Sequence, residues 1–341
     1  MTSRELVRKT LSFDSPARIP RQLWLLPWAG IHHAAALARI RESFPDDIVT
    51  SPSFLKKELR TFGDEYSPGL FFDEWGCRFE SVQAGIIGEV KEPLIAGWKD
   101  AGNVRVPEER LSVDVSKVNE FCRRTDRFVL PPMNVRPFER LQFIRMPENL
   151  YIDLAEQPDE LFLFIQRLHD FFKEEISLWA ETEVDGLLIA DDWGTQNSLL
   201  IAPDLWRRIF KPLYKDYIDI ARSKGKPVFM HSDGHIMDIL PDLVEMGVDA
   251  LNSQLFCMDI EEIGRRFKGE ITFWGEIDRQ RILPYGTGEE VEAAVKRVRD
   301  ALWQNGGVIA QCEFGIGANP DNVRRVFEAW DRLGPAFSRF R

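Results

Sequence analysis

Short runs rich in β-branched and aromatic residues alternate along this chain with longer stretches of helical period, and that alternation restricts its possible folds more than any other feature. The runs fall at 22–28, 47–51, 127–134, 186–192, 227–231, 249–253, 271–276 and 307–312. Helical patterns separate the later ones, at 203–223, 236–245, 260–267 and 288–304. Parallel strands need crossover connections of a dozen residues or more, and helices supply them, so alternation predicts a parallel sheet. Eight repeats predict closure of an α/β chain into a single (β/α)8 TIM barrel. The 341 residues suit one such barrel, so 1–341 is expected to be one domain.

Two segments exceed a minimal barrel. Residues 55–125 make a long excursion between the second and third strands. It contains Asp73-Glu74-Trp75-Gly76-Cys77 and a stretch, 80–91, that reads as a hairpin. Residues 137–165 form a second elaboration, running into an amphipathic helix around 159–172. Neither has linker composition, so both are expected to decorate the barrel mouth.

The formal net charge of −11 argues against nucleic acid as the main partner, because a binder must neutralise phosphates with a basic surface. It argues equally against an anionic membrane surface. The four cysteines (Cys77, Cys122, Cys257 and Cys312) are widely spaced and include no CxxC pair, which points to a reducing cytoplasm. The first ten residues have no apolar signal core, and no run of about 18 apolar residues offers a membrane span.

In a parallel barrel the functional groups gather where strands end and βα loops begin. Those positions carry Trp24 and Trp28 on the first strand, Asn134 on the third, and Asp191-Asp192-Trp193 on the fourth. The fifth ends in His231-Ser232-Asp233-Gly234, the sixth in Asn252-Ser253-Gln254, the seventh in Gly275-Glu276-Ile277-Asp278 and the eighth in Cys312-Glu313-Phe314-Gly315. His231, Asp233 and Cys312 together would offer nitrogen, oxygen and sulfur to a zinc ion with an open fourth position. Asp233 has a second reading, as a cap for the helix beginning near Ile236. Adjacent acids cannot both turn inward from a strand, so one of Asp191 and Asp192 is expected to face the cavity, as a general acid, and the other to cap a turn. Asp73 is a lid candidate. Trp24, Trp28, Asn134, Trp193 and Gln254 are candidates for contact with a small-molecule substrate.

These residues resemble the uroporphyrinogen decarboxylase superfamily, which contains decarboxylases and zinc- and corrinoid-dependent methyltransferases. The likeness rests on 227–234 (Pro-Val-Phe-Met-His-Ser-Asp-Gly), on 308–315 (Val-Ile-Ala-Gln-Cys-Glu-Phe-Gly) followed by Asn319-Pro320-Asp321-Asn322-Val323, and on Asp278 with Leu283-Pro284-Tyr285-Gly286-Thr287. The decarboxylases hold tetrapyrrole carboxylates with two arginines in an early motif; Pro27 and Ile31 stand there in this chain. Losing both removes several charge-assisted hydrogen bonds. The methyltransferases bind zinc with a His-x-Cys pair and a distant Cys. His231 and Cys312 match that set, Asp233 replaces the middle ligand, and Glu276 or Glu313 is a candidate for a further oxygen ligand.

The resemblance therefore implies a zinc enzyme moving a methyl group between a small substrate and the cobalt of a corrinoid (cobalamin), presented by a separate protein, with Asp192 handling a proton or positioning the ligand. Two alternatives stand beside it. One is a uroporphyrinogen decarboxylase-type enzyme of porphyrin biosynthesis, in which Asp192 or Asp73 protonates carbon. The other is a barrel that binds a ligand without chemistry.

Overall fold

Each of the eight predicted runs holds a strand in the computed structural model, which describes residues 1–132 and 135–334. In chain order the strands are β1 (Arg21–Leu25), β2 (Ile48–Thr50), β3 (Gly69–Phe72), β4 (Arg78–Ser81), β5 (Glu89–Val90) and β6 (Phe128–Leu130). They continue as β7 (Leu187–Ala190), β8 (Val228–Ser232), β9 (Ala250–Ser253), β10 (Thr272–Trp274) and β11 (Val308–Phe314). Six of them form one curled parallel sheet in the order β1-β11-β10-β9-β8-β7, and β2 and β6 form a separate parallel pair. Main-chain bonds adjoin the pair to the sheet, from Asp47 N to Arg21 O and from Asp185 N to Val129 O, both 2.8 Å, and, beyond β6, from Ala190 N to Val135 O at 3.0 Å. The ladder is thus a six-strand sheet and a pair, where the sequence predicts one ring of eight.

Side chains on a strand alternate between its two faces, and the packing shows which face is which. Ile48, Phe128, Leu130, Leu188, Phe229, Ala250, Trp274 and Ile309 meet in one buried cluster, with Trp24 against it. Val7, from the N-terminal helix Ser3–Leu11, joins the same cluster. The alternate residues, among them Met230, Leu251, Phe273 and Cys312, pack outward into a larger cluster shared with the helices. This alternation decides which strand-end residues can reach a common site.

Prolines set several boundaries that the sequence reading misplaces. β1 stops at Leu25 because Pro27 opens the helix Pro27–Ser43, its fixed φ suiting a first helical turn. Trp28 is therefore helical and does not end a strand. The stretch 203–223 is two helices, Pro203–Ile209 and Lys211–Ser223, the second with Pro212 in its first turn. The second elaboration becomes Pro137–Arg145, Pro147–Glu156 and the long Asp159–Ala180.

The excursion holds a three-stranded antiparallel sheet, β3-β4-β5, in which the predicted hairpin supplies the β4–β5 pair. Its Trp75, Cys77 and Phe79 are buried in the cluster that also takes in the outer faces of the strands. It reaches the rim at Gly85, whose carbonyl accepts from Trp28 N at 3.1 Å. Only glycine suits that contact: φ is +87°, and a Cβ would stand 2.5 Å from the Trp28 backbone. Among the described residues, no helix is long and apolar enough to cross a membrane.

Candidate functional site

His231 lies on β8, two residues beyond the inward-facing Phe229, so period-two alternation turns its ring into the mouth of the curled sheet. The register sets His231 beside Asn252 of β9, and His231 Nδ1 lies 2.7 Å from Asn252 Oδ1. Asn252 Nδ2 donates to the Trp274 carbonyl, which can only accept. That fixes the amide orientation, makes Asn252 Oδ1 the acceptor and places a hydrogen on His231 Nδ1. Nε2 is left as the working nitrogen. Trp24 packs against the ring with centroids 5.1 Å apart.

Two carboxylates converge on Nε2, Asp192 Oδ1 at 3.4 Å and Asp233 Oδ1 at 3.7 Å. The adjacent acids that follow β7 divide as alternation requires. Asp192 faces the mouth and accepts from Asp233 N at 2.9 Å. Asp191 turns away, fully buried, and accepts from Phe138 N at 2.8 Å, Glu139 N at 2.7 Å and Tyr214 Oη at 2.6 Å. It holds the first turn of helix Pro137–Arg145 and has no place in the site. Burial pushes its pKa up to about 8, against those three donors.

Burial alone would raise the Asp192 pKa, but the hydrogen bond and charge of His231 and the Asp233 amide overcome it and bring it down to about 2. For His231, burial opposes the charged form, and Asp192 and Asp233 outweigh it, lifting the ring to about 9. Asp233 is not a helix cap: its Oδ2 pairs with Arg279 Nη2, and its buried Oδ1 has no hydrogen-bond partner.

Arg279 organises the next layer. Besides Asp233 it faces Glu313 Oε2 at 3.4 Å and Glu276 Oε1 at 3.8 Å. Glu276 is buried, and desolvation pushes its pKa up to about 8, with Arg279 pulling the other way. Glu313 is likewise raised by burial. Glu276 therefore belongs to the arginine's surroundings and is not among the three groups whose ligand atoms cluster, Asp192, His231 and Asp233, all within 4.8 Å of one another.

Cys312 corrects the sequence-based ligand set. Ile309, Gln311 and Glu313 share the inward face of β11, so Cys312 points the opposite way, into the helix-side core, level with Leu23 of β1. It is fully buried, and burial, then the charges of Glu276 and Glu313, keep it a thiol. Glu313 takes the place at the mouth that the sequence assigned to the sulfur.

Other candidates move as well. Asp73 is a structural acid: its Oδ1 accepts from Trp75 N at 3.0 Å and Cys77 N at 2.7 Å, and its Oδ2 forms a buried ion pair with Arg140. Trp193 is fully buried, stacked on Phe138 with centroids 3.9 Å apart, and donates to Tyr214 Oη at 2.9 Å. It supports the helix that Asp191 caps. Gln254 Oε1 accepts from Gly234 N at 3.1 Å and so braces the turn after His231. Trp28 packs against His32, tilted, and His33, edge-on, with ring centroids 4.7 and 5.3 Å away. Asn134 lies outside the described residues.

A cavity of about 640 Å³ opens between the excursion and helix Pro137–Arg145. Phe71, Phe79, Phe143 and Tyr66 line it with Arg110, Arg136 and Arg140. Each arginine already has a carboxylate: Arg110 meets Glu74 at 2.8 Å and Glu175 at 3.0 Å, Arg136 meets Glu139 at 3.0 Å, and Arg140 meets Asp73. Glu139 links cavity and trio. It lines the cavity, burial raises its pKa, and it lies close enough to feel the charges of Asp192 and His231.

The trio suits a divalent metal. Two atoms bound at about 2.1 Å at a tetrahedral angle stand about 3.4 Å apart, close to the observed 3.4 and 3.7 Å. The orphaned Asp233 Oδ1 and the lone pair on Nε2 are the donors such an ion needs. The set is one nitrogen and two oxygens, harder than a thiolate set. Sequence reasoning missed Asn252, Arg279 and Glu139. Asn252 stood in the strand-end inventory, but its role depends on the β8–β9 register. Arg279 lies one residue past the rim stretch that ends at Asp278.

The sequence profile of the Uroporphyrinogen decarboxylase (URO-D) family matches residues 72–333. No curated protein sequence matches the chain. Among solved structures, a methyltransferase from Methanosarcina mazei is similar, with a TM-score of 0.72 at 15% identity, over 98% of this chain and 99% of that one. A B12-independent methionine synthase from Shewanella sp. W3-18-1 gives a TM-score of 0.47 at 12% identity, over 92% of this chain and 87% of that one. The first of these shares the fold; the second is too distant to carry an argument. With the profile spanning most of its length and the strand ends arranged as described, the chain belongs to the uroporphyrinogen decarboxylase family.

Proposed function

We propose that this family member is a methyltransferase that moves a methyl group between a small substrate and the cobalt of a corrinoid carried by a separate protein, with the help of a divalent metal, zinc foremost. The observation that carries the metal is the convergence of His231 Nε2, Asp192 Oδ1 and a buried Asp233 Oδ1 that has no hydrogen-bond partner. When bound, the metal would supply Lewis-acid polarisation of the substrate atom. We also read β2 and β6 as completing a (β/α)8 barrel around the trio.

The chain's own groups divide the remaining work. Asn252 keeps a hydrogen on Nδ1, so Nε2 faces the two carboxylates. Asp192, with its low pKa, stays ionised and orients its neighbours; it is poorly suited to carry a proton at neutral pH. Glu139 and Glu65, both raised by burial, line the cavity and are the groups there suited to hold one. Phe71, Phe79 and Phe143 give the cavity apolar patches among its charged lining, against which a small substrate would pack.

One observation favours decarboxylation instead: without metal, His231 keeps its proton to about pH 9 and could act as an acid. Against that reading, the cavity's arginines are all committed to carboxylates, which leaves poor anchors for a polycarboxylate tetrapyrrole. The test is to add methylcobalamin and candidate acceptors to metal-loaded protein and follow the corrinoid spectrum. Conversion to cob(I)alamin supports the proposal. Turnover of uroporphyrinogen by metal-free protein, with no corrinoid demethylation, overturns it.

A further inference from the structure

Arg279 presents its guanidinium to three carboxylates from three strand ends, Asp233 after β8, Glu276 after β10 and Glu313 on β11. One of them, Asp233, is also a member of the metal-binding trio. A fixed cation therefore sits one carboxylate away from the place a divalent ion would occupy, on the far oxygen of the same ligand. We propose that Arg279 is a built-in counter-cation that weakens metal binding at the trio and keeps the ion exchangeable. This rests on the metal reading above.

Two effects of Arg279 oppose each other, and their sizes decide the sign. Its bond to Oδ2 points Oδ1 toward Nε2, and losing that bond frees one short side chain, a several-fold effect at most. Its charge repels a divalent ion across a few ångströms of partly buried protein, where Coulomb energies are several times those in water. Glu276 and Glu313, which burial already pushes toward the neutral form, would lose their neighbouring cation and offset only part of the gain from removing that charge. Charge wins, so the neutral variant should bind metal more tightly than the parent.

The test is zinc and cobalt(II) affinity, read by competition with a chelating dye, for the full-length parent, Arg279→Gln and Arg279→Lys, with circular dichroism and thermal melts confirming that each is folded. Arg279→Gln should tighten binding by about 10- to 100-fold, while Arg279→Lys, which keeps the charge, should stay within about threefold of the parent. Equal or weaker binding in Arg279→Gln, with the parent still binding metal, overturns the counter-cation role and leaves the metal reading standing. Metal bound by Arg279→Gln and not by the parent supports the counter-cation role and removes the metal from the function. No binding by either overturns both.

Discussion

At His231 the question of ligand or acid turns on which nitrogen carries the hydrogen. Asn252 answers it through an amide held in one orientation by the Trp274 carbonyl, so its contribution is measurable apart from turnover. Asn252→Ala should weaken metal affinity by about 10- to 100-fold, as loss of a ligand-orienting partner generally does; unchanged affinity by dye competition would assign the tautomer elsewhere. The metal-free protein should also report the His231–Asp192 pair through pH. The ring's pKa rises from 6.5 to about 9 on folding, so its stabilisation is fully present below pH 6.5 and disappears as pH climbs through 9. Seen from Asp192, at about 2 against 3.8, the same interaction is present above 3.8 and is lost as pH falls through 2, and the two must not be summed. Urea titrations should therefore show the His231→Gln variant losing less stability than the parent between pH 6.5 and 9. Parallel curves would rule out a charged ring in the folded state.

On the scale of a strand or helix, alternation does most of the sorting. It sends Asp192 inward and Asp191 outward, His231 inward, and Glu313 inward in place of Cys312. The strand ends were legible as a set of functional groups, but their facing was not. A one-residue shift in where β11 is anchored exchanges every side chain between mouth and core, and nothing in a buried apolar run fixes that register. Cys312→Ala should leave metal affinity unchanged and cost about 1 kcal/mol of stability from the small void it makes; loss of the metal would restore the sulfur to the ligand set. Asp191→Ala should cost about 2 kcal/mol, since two amides of the Pro137–Arg145 helix and a buried tyrosine hydroxyl lose their acceptor. A denaturation midpoint within error of the parent's would deny it that capping role.

For the whole molecule, the order of elements was readable because strand and helix periods differ and parallel pairing follows from their alternation. All eight strand positions were found, and so was the hairpin of the excursion. What stayed hidden depends on contacts far apart in sequence: the Asp73–Arg140 pair that ties the excursion to helix Pro137–Arg145, the cavity between them, and Arg279 gathering carboxylates from three strand ends. Family membership came from short motifs, and it survives the loss of Cys312 from the site. The proposed chemistry depends on Asp192, His231 and Asp233. Metal content and zinc affinity of the purified full-length chain, compared with His231→Gln and Asp233→Asn, test that dependence most directly. One exchangeable divalent ion per chain, lost in both variants while their folds persist, is the expected result; a folded parent that takes up no metal, or variants that keep it, would contradict the account.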